Sequence, residues 1–547
     1  MKNERTPLIP TIERASATRI WLLPLLLLGS AGLSLFLLTY MADALASQDP
    51  LHVLLLIFHP NPEAAANTLA NAGEIVAAVL AIALTVVAIT VELASNRYTH
   101  RITELFITEP VNFAIMSLFV VTALQGMWVS VTFDQQGGFV PYYGIAVTMW
   151  LLTLCLLVLL PYFNFVFKYL NPLQIVRRIS AHTLSAIQEG KGGTLAAQRE
   201  AVRGVEQLAD VALNSLAHRD KTVAMASMNA LCKLVSDYQA IRDRLPPSWF
   251  ELHPPLTENP DFVSMDPHTL GLIAERRTWF EMKVLRQYQT IFGESLNRVR
   301  DLNYVVAINT RQLAEEAMAR NQLHLLHLLM QFFNTYVRAA INARDVRTAY
   351  NVFNQYRRLA EALVAHGLEA HLVETVRYFK YYGLLAFQAR LAFILETVAY
   401  DLCTLIELAA ERELTGIETL LSVFLQVDKE SEGEVQEAAL RGVRKAQVKL
   451  ATFFLARGDT PLARRVYNDM AGEEMRRLSS IREELLAVRS PEYWEITDRG
   501  ANFDYISPDR KHLLIEFFSW FPNLPEVQLK ELQAQPAAPG ANLDEAL

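Results

Sequence analysis

Four stretches of this chain are almost purely apolar, and the residues that follow them alternate with a helical period. Ile20–Tyr40 (IWLLPLLLLGSAGLSLFLLTY) runs 21 residues without a charge. A helix rises about 1.5 Å per residue, so about 20 apolar residues cross the ~30 Å hydrocarbon core of a bilayer. This stretch is too long for a signal-peptide core, and no small-x-small cleavage site directly follows it, so it reads as a retained span. Three more spans are predicted at 73–93, at 111–131 after Pro110, and at 142–167, where Pro161 is expected to bend the helix. Trp21, Tyr40, Trp128, Tyr142, Tyr143 and Tyr162 lie near predicted span ends, where amphipathic rings prefer to sit. Leu51–Phe58 (LHVLLLIF) is too short to cross; it is expected in the outer interface or against the bundle.

From Asn171 onward, helical periodicity dominates and strand-like alternation is scarce. Asn171-Pro172 marks the boundary, because a residue before proline is biased away from helix. Membrane-proximal helices are expected over 171–244, with a turn at Gly190–Thr194 (GKGGT) that lacks the frame of a phosphate loop. A proline-rich loop is expected over 245–268, a helical region over 269–490, an aromatic-rich docking segment over 491–532 and an unpacked tail over 533–547. Within the helical region, NARDVRTAYNVFNQY (Asn342–Tyr356) and LARGDTPLARRVYNDM (Leu455–Met470) look alike. Asp345 and Asp459 each precede an alanine by four, at Ala349 and Ala463. A small residue, a turn, an alanine and an aromatic are how tetratricopeptide helix pairs close. The fold class predicted is therefore all-α: a four-helix transmembrane domain followed by a large cytosolic helical domain with tetratricopeptide-like features. Ordinary helix-pair packing would give the same local pattern.

Charge orients the spans. The 1–19 tail holds Lys2, Arg5, Arg14 and Arg19; the loop 41–72 holds no Lys or Arg; the loop 94–110 holds Arg97 and Arg101; the loop 132–141 holds none; and Lys168, Arg177 and Arg178 follow the fourth span. By the positive-inside rule this alternation places both termini in the cytoplasm. The net charge of −8 lacks the footprint of a nucleic-acid binder. Cys155, Cys232 and Cys403 match no metal-ligand spacing and read as reduced, packed thiols.

The second span carries Glu74 and Glu92, which are 18 residues apart, five whole turns, so they share a face with Ala77, Ala78, Ala81, Thr85 and Ala88. Small residues bounded by carboxylates should face protein or water, so a pathway-lining helix and a close-packed helix are the two readings. Arg97, Tyr98, Thr99 and Arg101 are expected at the cytosolic interface, where the arginines would meet Glu92 or lipid phosphates, or act as a charge anchor. No HExxH, G-x-S-x-G, G-x-G-x-x-G or EF-hand loop occurs. His324 and His327 read as a packed pair, and Glu495, Asp498 and Asp504 as part of the docking segment. Accordingly no catalytic residue, metal or cofactor is expected. The expected partners are the bilayer, proteins bound through the cytosolic helices, and further copies of the chain.

The stretch VAITVELASNRYTHRITELFITEPVNFAIMSLFVVTAL resembles the junction of the second and third spans in a family of bacterial membrane proteins, domain of unknown function 2254. The resemblance rests on Leu93-Ala94-Ser95, then Tyr98, Thr99 and Arg101. Phe163–Ile179 resembles the family too, and Leu208–Tyr238 does so more loosely, so the likeness covers about residues 20–240. It implies a bacterial inner-membrane location and carries no activity with it. Two functions are thus expected: a membrane anchor for a helical interaction scaffold, or an oligomeric channel or transporter lined by the second span.

Overall fold

A computed structural model describes residues 23–46, 62–99, 101–132, 140–190, 193–427, 434–493, 499–500, 502–522 and 524. Among the described residues the chain is helical and contains no strand. It divides into two compact units, 1–179 and 180–547.

The first unit holds helices α1 (Leu23–Ala46), α2 (Pro62–Arg97), α3 (Arg101–Ile107), α4 (Pro110–Val131) and α5 (Tyr142–Tyr169), and the start of α6 (Pro172–Glu189). Four of these are long and apolar enough to cross a membrane, over Leu26–Ala46, Gly73–Arg97, Pro110–Val131 and Tyr142–Tyr169. α2, α4 and α5 pack on one another, and α1 lies against α5. Their seam is small: Val76, Phe119 and Cys155 form one cluster, and Val129 and Ile145 another. Gly126 and Gly144 let α4 and α5 approach, since a Cβ on Gly144 would lie 2.9 Å from Val129 Cγ2. Large apolar side chains point outward instead, Leu38, Ile82, Phe113 and Trp150 among them, the arrangement a lipid solvent favours. Pro161 sits buried inside α5, which runs on past it to Tyr169. Tyr162 does not join an interfacial belt: it turns inward, and its hydroxyl donates to Asn112 Oδ1 at 3.2 Å. Leu51–Phe58, the 1–19 tail and the 533–547 tail lie outside the described residues.

The second unit continues through α7 (Thr194–Ala217) and α8 (Lys221–Ile241), within the stretch where membrane-proximal helices are expected. The stretch read as a proline-rich loop is a string of short helical turns instead: a 3-10 turn at Pro247–Phe250, α9 (Pro254–Thr257), α10 (Pro260–Val263) and α11 (Pro267–Arg276). Each begins on proline, whose missing N–H costs nothing in a first turn, so the same residues that argued for a loop start helices here. A knot of aromatics pins the segment down: Trp279 Nε1 donates to Trp249 O at 2.8 Å, and Trp249 Nε1 to the Tyr238 hydroxyl at 3.1 Å.

Then comes a regular array: α12 (Trp279–Ser295), α13 (Arg300–Ala319), α14 (Leu323–Asn342), α15 (Val346–Ala365), α16 (Glu369–Gln388), α17 (Ala392–Glu411), α18 (Ile417–Phe424) and α19 (Glu434–Ala456). From α13 to α17 each helix has 20 residues and starts 23 after the last. The turns repeat too. Asn321, Arg344, Gly367, Arg390 and Glu413 all take left-handed backbone conformations, and the following N–H of each turn reaches back to close the helix end, as from Asp345 to Ala340 O at 3.0 Å. Alternate helices are neighbours. One layer runs α7, α12, α14, α16, α18, and the other runs α8, α13, α15, α17, α19. A hairpin thus takes 46 residues, where a tetratricopeptide unit takes about 34. The array closes with α20 (Thr460–Met470), α21 (Met475–Ala487) and α22 (Lys511–Ser519), all packed on α19. The two look-alike stretches open α15 and α20, 114 residues apart, one short of five 23-residue periods.

Candidate functional site

On α2, Val76, Ala83, Val87, Val91 and Ser95 are buried. Glu74, Ala77, Ala81, Thr85 and Glu92 all lie exposed on the opposite side, as Ala78 and Ala88 do, so among the described residues no helix covers the stripe. Thr85 Oγ1 donates to Ala81 O at 2.8 Å, which leaves the stripe smooth and without a spare hydroxyl proton. At the end of α2, Tyr98 and Thr99 turn inward, whereas Arg97 is exposed with its guanidinium 5.4 Å from the Tyr98 ring centre. Arg101 begins α3.

In the second unit the 46-residue period carries a buried polar ladder. Asn309, Gln355, Asp401 and Gln447 occupy equivalent positions on α13, α15, α17 and α19, and all four are buried. Each has a polar partner on a neighbouring helix or its own: Asn309 Nδ2 donates to the Tyr288 hydroxyl at 3.1 Å, Gln355 Oε1 accepts from Arg311 Nε at 2.8 Å, and Gln447 Oε1 accepts from Arg444 Nη1 at 2.8 Å, while Gln447 Nε2 and Asp401 Oδ2 have none among the described residues. Arg357 stands one period after Arg311 and reaches Asp401 Oδ1 at 3.5 Å. The rungs vary in identity and recur only every second helix, so no short motif announces them; comparing the sequence with itself at an offset of 46 would have found them.

Asp401 is also where the aromatic-rich segment enters. Arg499 pairs with it, 4% exposed, and lies 4.6 Å from the Tyr350 ring centre. Phe503 stacks on Tyr400 with ring centres 4.9 Å apart, and Asp504 accepts from the Tyr400 hydroxyl and from Lys445 at 2.9 Å. Farther on, Arg464 caps the Trp520 ring at 3.6 Å, and Lys511 holds the carbonyls of Leu486 and Val488, both at 2.8 Å. Trp494, Glu495 and Asp498 lie outside the described residues. Burial pushes Asp401 up against the pull of Arg499 and Arg357. It pushes Glu396 up to about 7, helped by the negative charge of Asp504. These groups are matched acid to base across packed helices, which is the arrangement of a structural network.

Two further buried ions do similar work. Lys283, 1% exposed, donates to Glu206 Oε1 at 2.7 Å, Asn259 Oδ1 at 2.9 Å and Asp261 Oδ2 at 2.5 Å, so its three protons tie α10 to α7 and α12. Glu281 on α12 accepts from Gln239, stands 3.9 Å from Arg242, and is driven by burial up to about 7. His324 and His327 are not a packed pair: His324 is exposed, and His327 meets Glu374 at 3.7 Å across the layer, a contact between neighbouring helices that sequence spacing does not reveal. The three cysteines are buried thiols, and among the described residues no three His, Cys, Asp or Glu side chains converge as metal ligands.

No curated protein matches the chain. Among solved structures, a circular tandem repeat protein with novel repeat topology and enhanced subunit contact surfaces aligns with 59% of this chain and 80% of its own, at 19% identity and a TM-score of 0.28. The four apolar helices, the α2–α4 junction and the first two helices of the second unit fall within residues 17–241, which match the family model described as predicted membrane protein, DUF2254.

Proposed function

We propose that this protein is an inner-membrane anchor whose four spans hold a helical array on the cytoplasmic side, where the array binds protein partners. The observation that carries the proposal is the array itself: a two-layer stack of 20-residue helices on a 46-residue period, following four membrane-length helices. Stacked hairpins bury their cores against neighbours and leave extended surfaces, which such architectures use for recognition. The orientation is supported by Arg97 and Arg101 on one side and the Lys- and Arg-free loops 41–72 and 132–141 on the other. Protease treatment of inside-out and right-side-out vesicles tests it. The carboxyl-terminal array should be cut only in inside-out vesicles, and cutting from outside overturns the proposal.

A second reading, an oligomeric channel or transporter lined by α2, is supported by the uncovered face from Glu74 to Glu92. Packing that face against other copies would remove two carboxylates from lipid. Reconstituted protein should then conduct ions, with Glu74→Gln or Glu92→Gln altering selectivity. Silent bilayers argue against this reading.

A further inference from the structure

The second unit carries a groove of about 630 Å³ between α16 and α18. Two ridges with the same spacing form its walls: Tyr381, Leu384, Leu385 and Gln388 on α16, and Thr419, Ser422 and Val423 on α18 with Gln426 in the turn that follows it. Both walls follow the i, i+3, i+4, i+7 spacing that helix-in-groove recognition uses. It exists because α18 stops early. α18 has 8 residues where the preceding helices of the array have 20, and Lys380 Nζ donates to Gln426 Oε1 at 2.8 Å exactly one 46-residue period away. The turns that would continue α18 along Tyr381, Leu384, Leu385 and Gln388 are absent from that helix.

The lining is basic. Arg377 and Lys380 stand on its wall, and among the described residues no carboxylate lines it. Arg338, from α14, donates to the Tyr381 hydroxyl at 3.0 Å and lies 5.6 Å from that ring's centre. Arg465, from α20, donates to Ser422 Oγ at 2.8 Å. Of the described acids nearby, Glu418 stands 3.6 Å from Arg465, and Glu374 accepts from Tyr378 at 2.6 Å and faces His327. A basic groove with an apolar floor stands out on a chain whose net charge is −8.

We propose that this groove binds an acidic amphipathic helix of a partner protein, whose apolar stripe lies on Leu384, Leu385 and Val423 while its flanking carboxylates meet Arg377 and Lys380. The proposal names the partner chemistry for the scaffold reading and rests on it. Charge complementarity selects the occupant, because a neutral or basic helix would leave two cations facing like charge or none.

The test uses the full-length protein in detergent and a fluorescent synthetic helix with leucines on one face and glutamates on the flanks. Its counterpart with lysines in place of the glutamates is the control. The acidic peptide should bind, and more weakly as salt is added. Arg377→Glu with Lys380→Glu should weaken it about tenfold or more and admit the lysine peptide. Val423→Cys should form a disulfide with a cysteine placed in the leucine stripe, a readout that does not depend on the charge variants. Equal binding of both peptides, no change on charge reversal, or displacement of the peptide by phosphatidylglycerol vesicles with no Val423→Cys cross-link would overturn the proposal. The vesicle-protease experiment fails or succeeds separately: peptide binding with an array exposed outside would leave the groove standing and remove the cytoplasmic scaffold.

Discussion

Replacing Glu281 with Gln isolates one buried charge. Its carboxyl is fully enclosed on α12, beside Gln239 and 3.9 Å from Arg242, and burial raises its pKa from 4.5 to about 7. A native pKa above the unfolded value means that the folded chain holds its proton longer, so this group's contribution to stability is fully present below about pH 4.5 and is lost as pH rises through about 7. At about 1.36 kcal/mol for each pH unit of displacement, the full loss is on the order of 3 kcal/mol. Gln keeps the shape and one acceptor for Gln239 but carries no charge. Arg242 stays partnered, because its Nη2 also donates to the Arg277 carbonyl at 3.1 Å. Hydrogen exchange of α8 and α12 amides in full-length protein, compared from pH 5 to pH 9, reads the local opening energy. Glu281→Gln should equal the parent near pH 5 and exceed it by up to about 3 kcal/mol above pH 8. A variant that is less stable than the parent by the same amount at every pH would refute the reasoning, since it would make Glu281 a net contributor through Arg242.

Other substitutions probe the packing. Gly204→Ala puts a Cβ 1.9 Å from Thr183 Oγ1 and 2.8 Å from Thr183 Cβ, so it should destabilise the second unit by about 1–3 kcal/mol; adding Thr183→Ala should recover part of the loss in a thermal melt, and Thr183→Gly should relieve more of the clash. Arg499→Ala leaves Asp401 buried with only Arg357 at 3.5 Å; limited proteolysis should then cut the carboxyl-terminal segment before the array, with a loss of about 3–5 kcal/mol. Lys283→Ala leaves the half-buried Asp261 without its cation and unties α10 from α7 and α12, and should cost about 3 kcal/mol in a thermal melt of the full-length protein.

The membrane half was legible because lipid leaves a coarse mark: about twenty residues without charge, bounded by loops that differ in Lys and Arg. The ends were less so. α2 begins at Pro62, well before the apolar stretch, because the helix continues through Ala-rich sequence that hydropathy alone does not flag. The array was hidden for a specific reason. Its helices end on left-handed residues, and of Asn321, Arg344, Gly367, Arg390 and Glu413 only one is the glycine by which such ends are usually recognised. The polar ladder was hidden by its variety, since Asn, Gln, Asp and Gln fill one structural position by different hydrogen bonds. The groove depends on α18 being short, a property of three-dimensional register that no local pattern expresses.

The 23-residue spacing from α13 to α17 has an arithmetic consequence for changes in chain length. Excising one helix with its turn would transpose every later helix to the opposite layer, setting solvent-facing side chains against the core. Excising two would keep the phase and cost only one interface between neighbours. The length of this domain can therefore change in steps of a hairpin, and any single-helix deletion is selected against by the geometry of the stack.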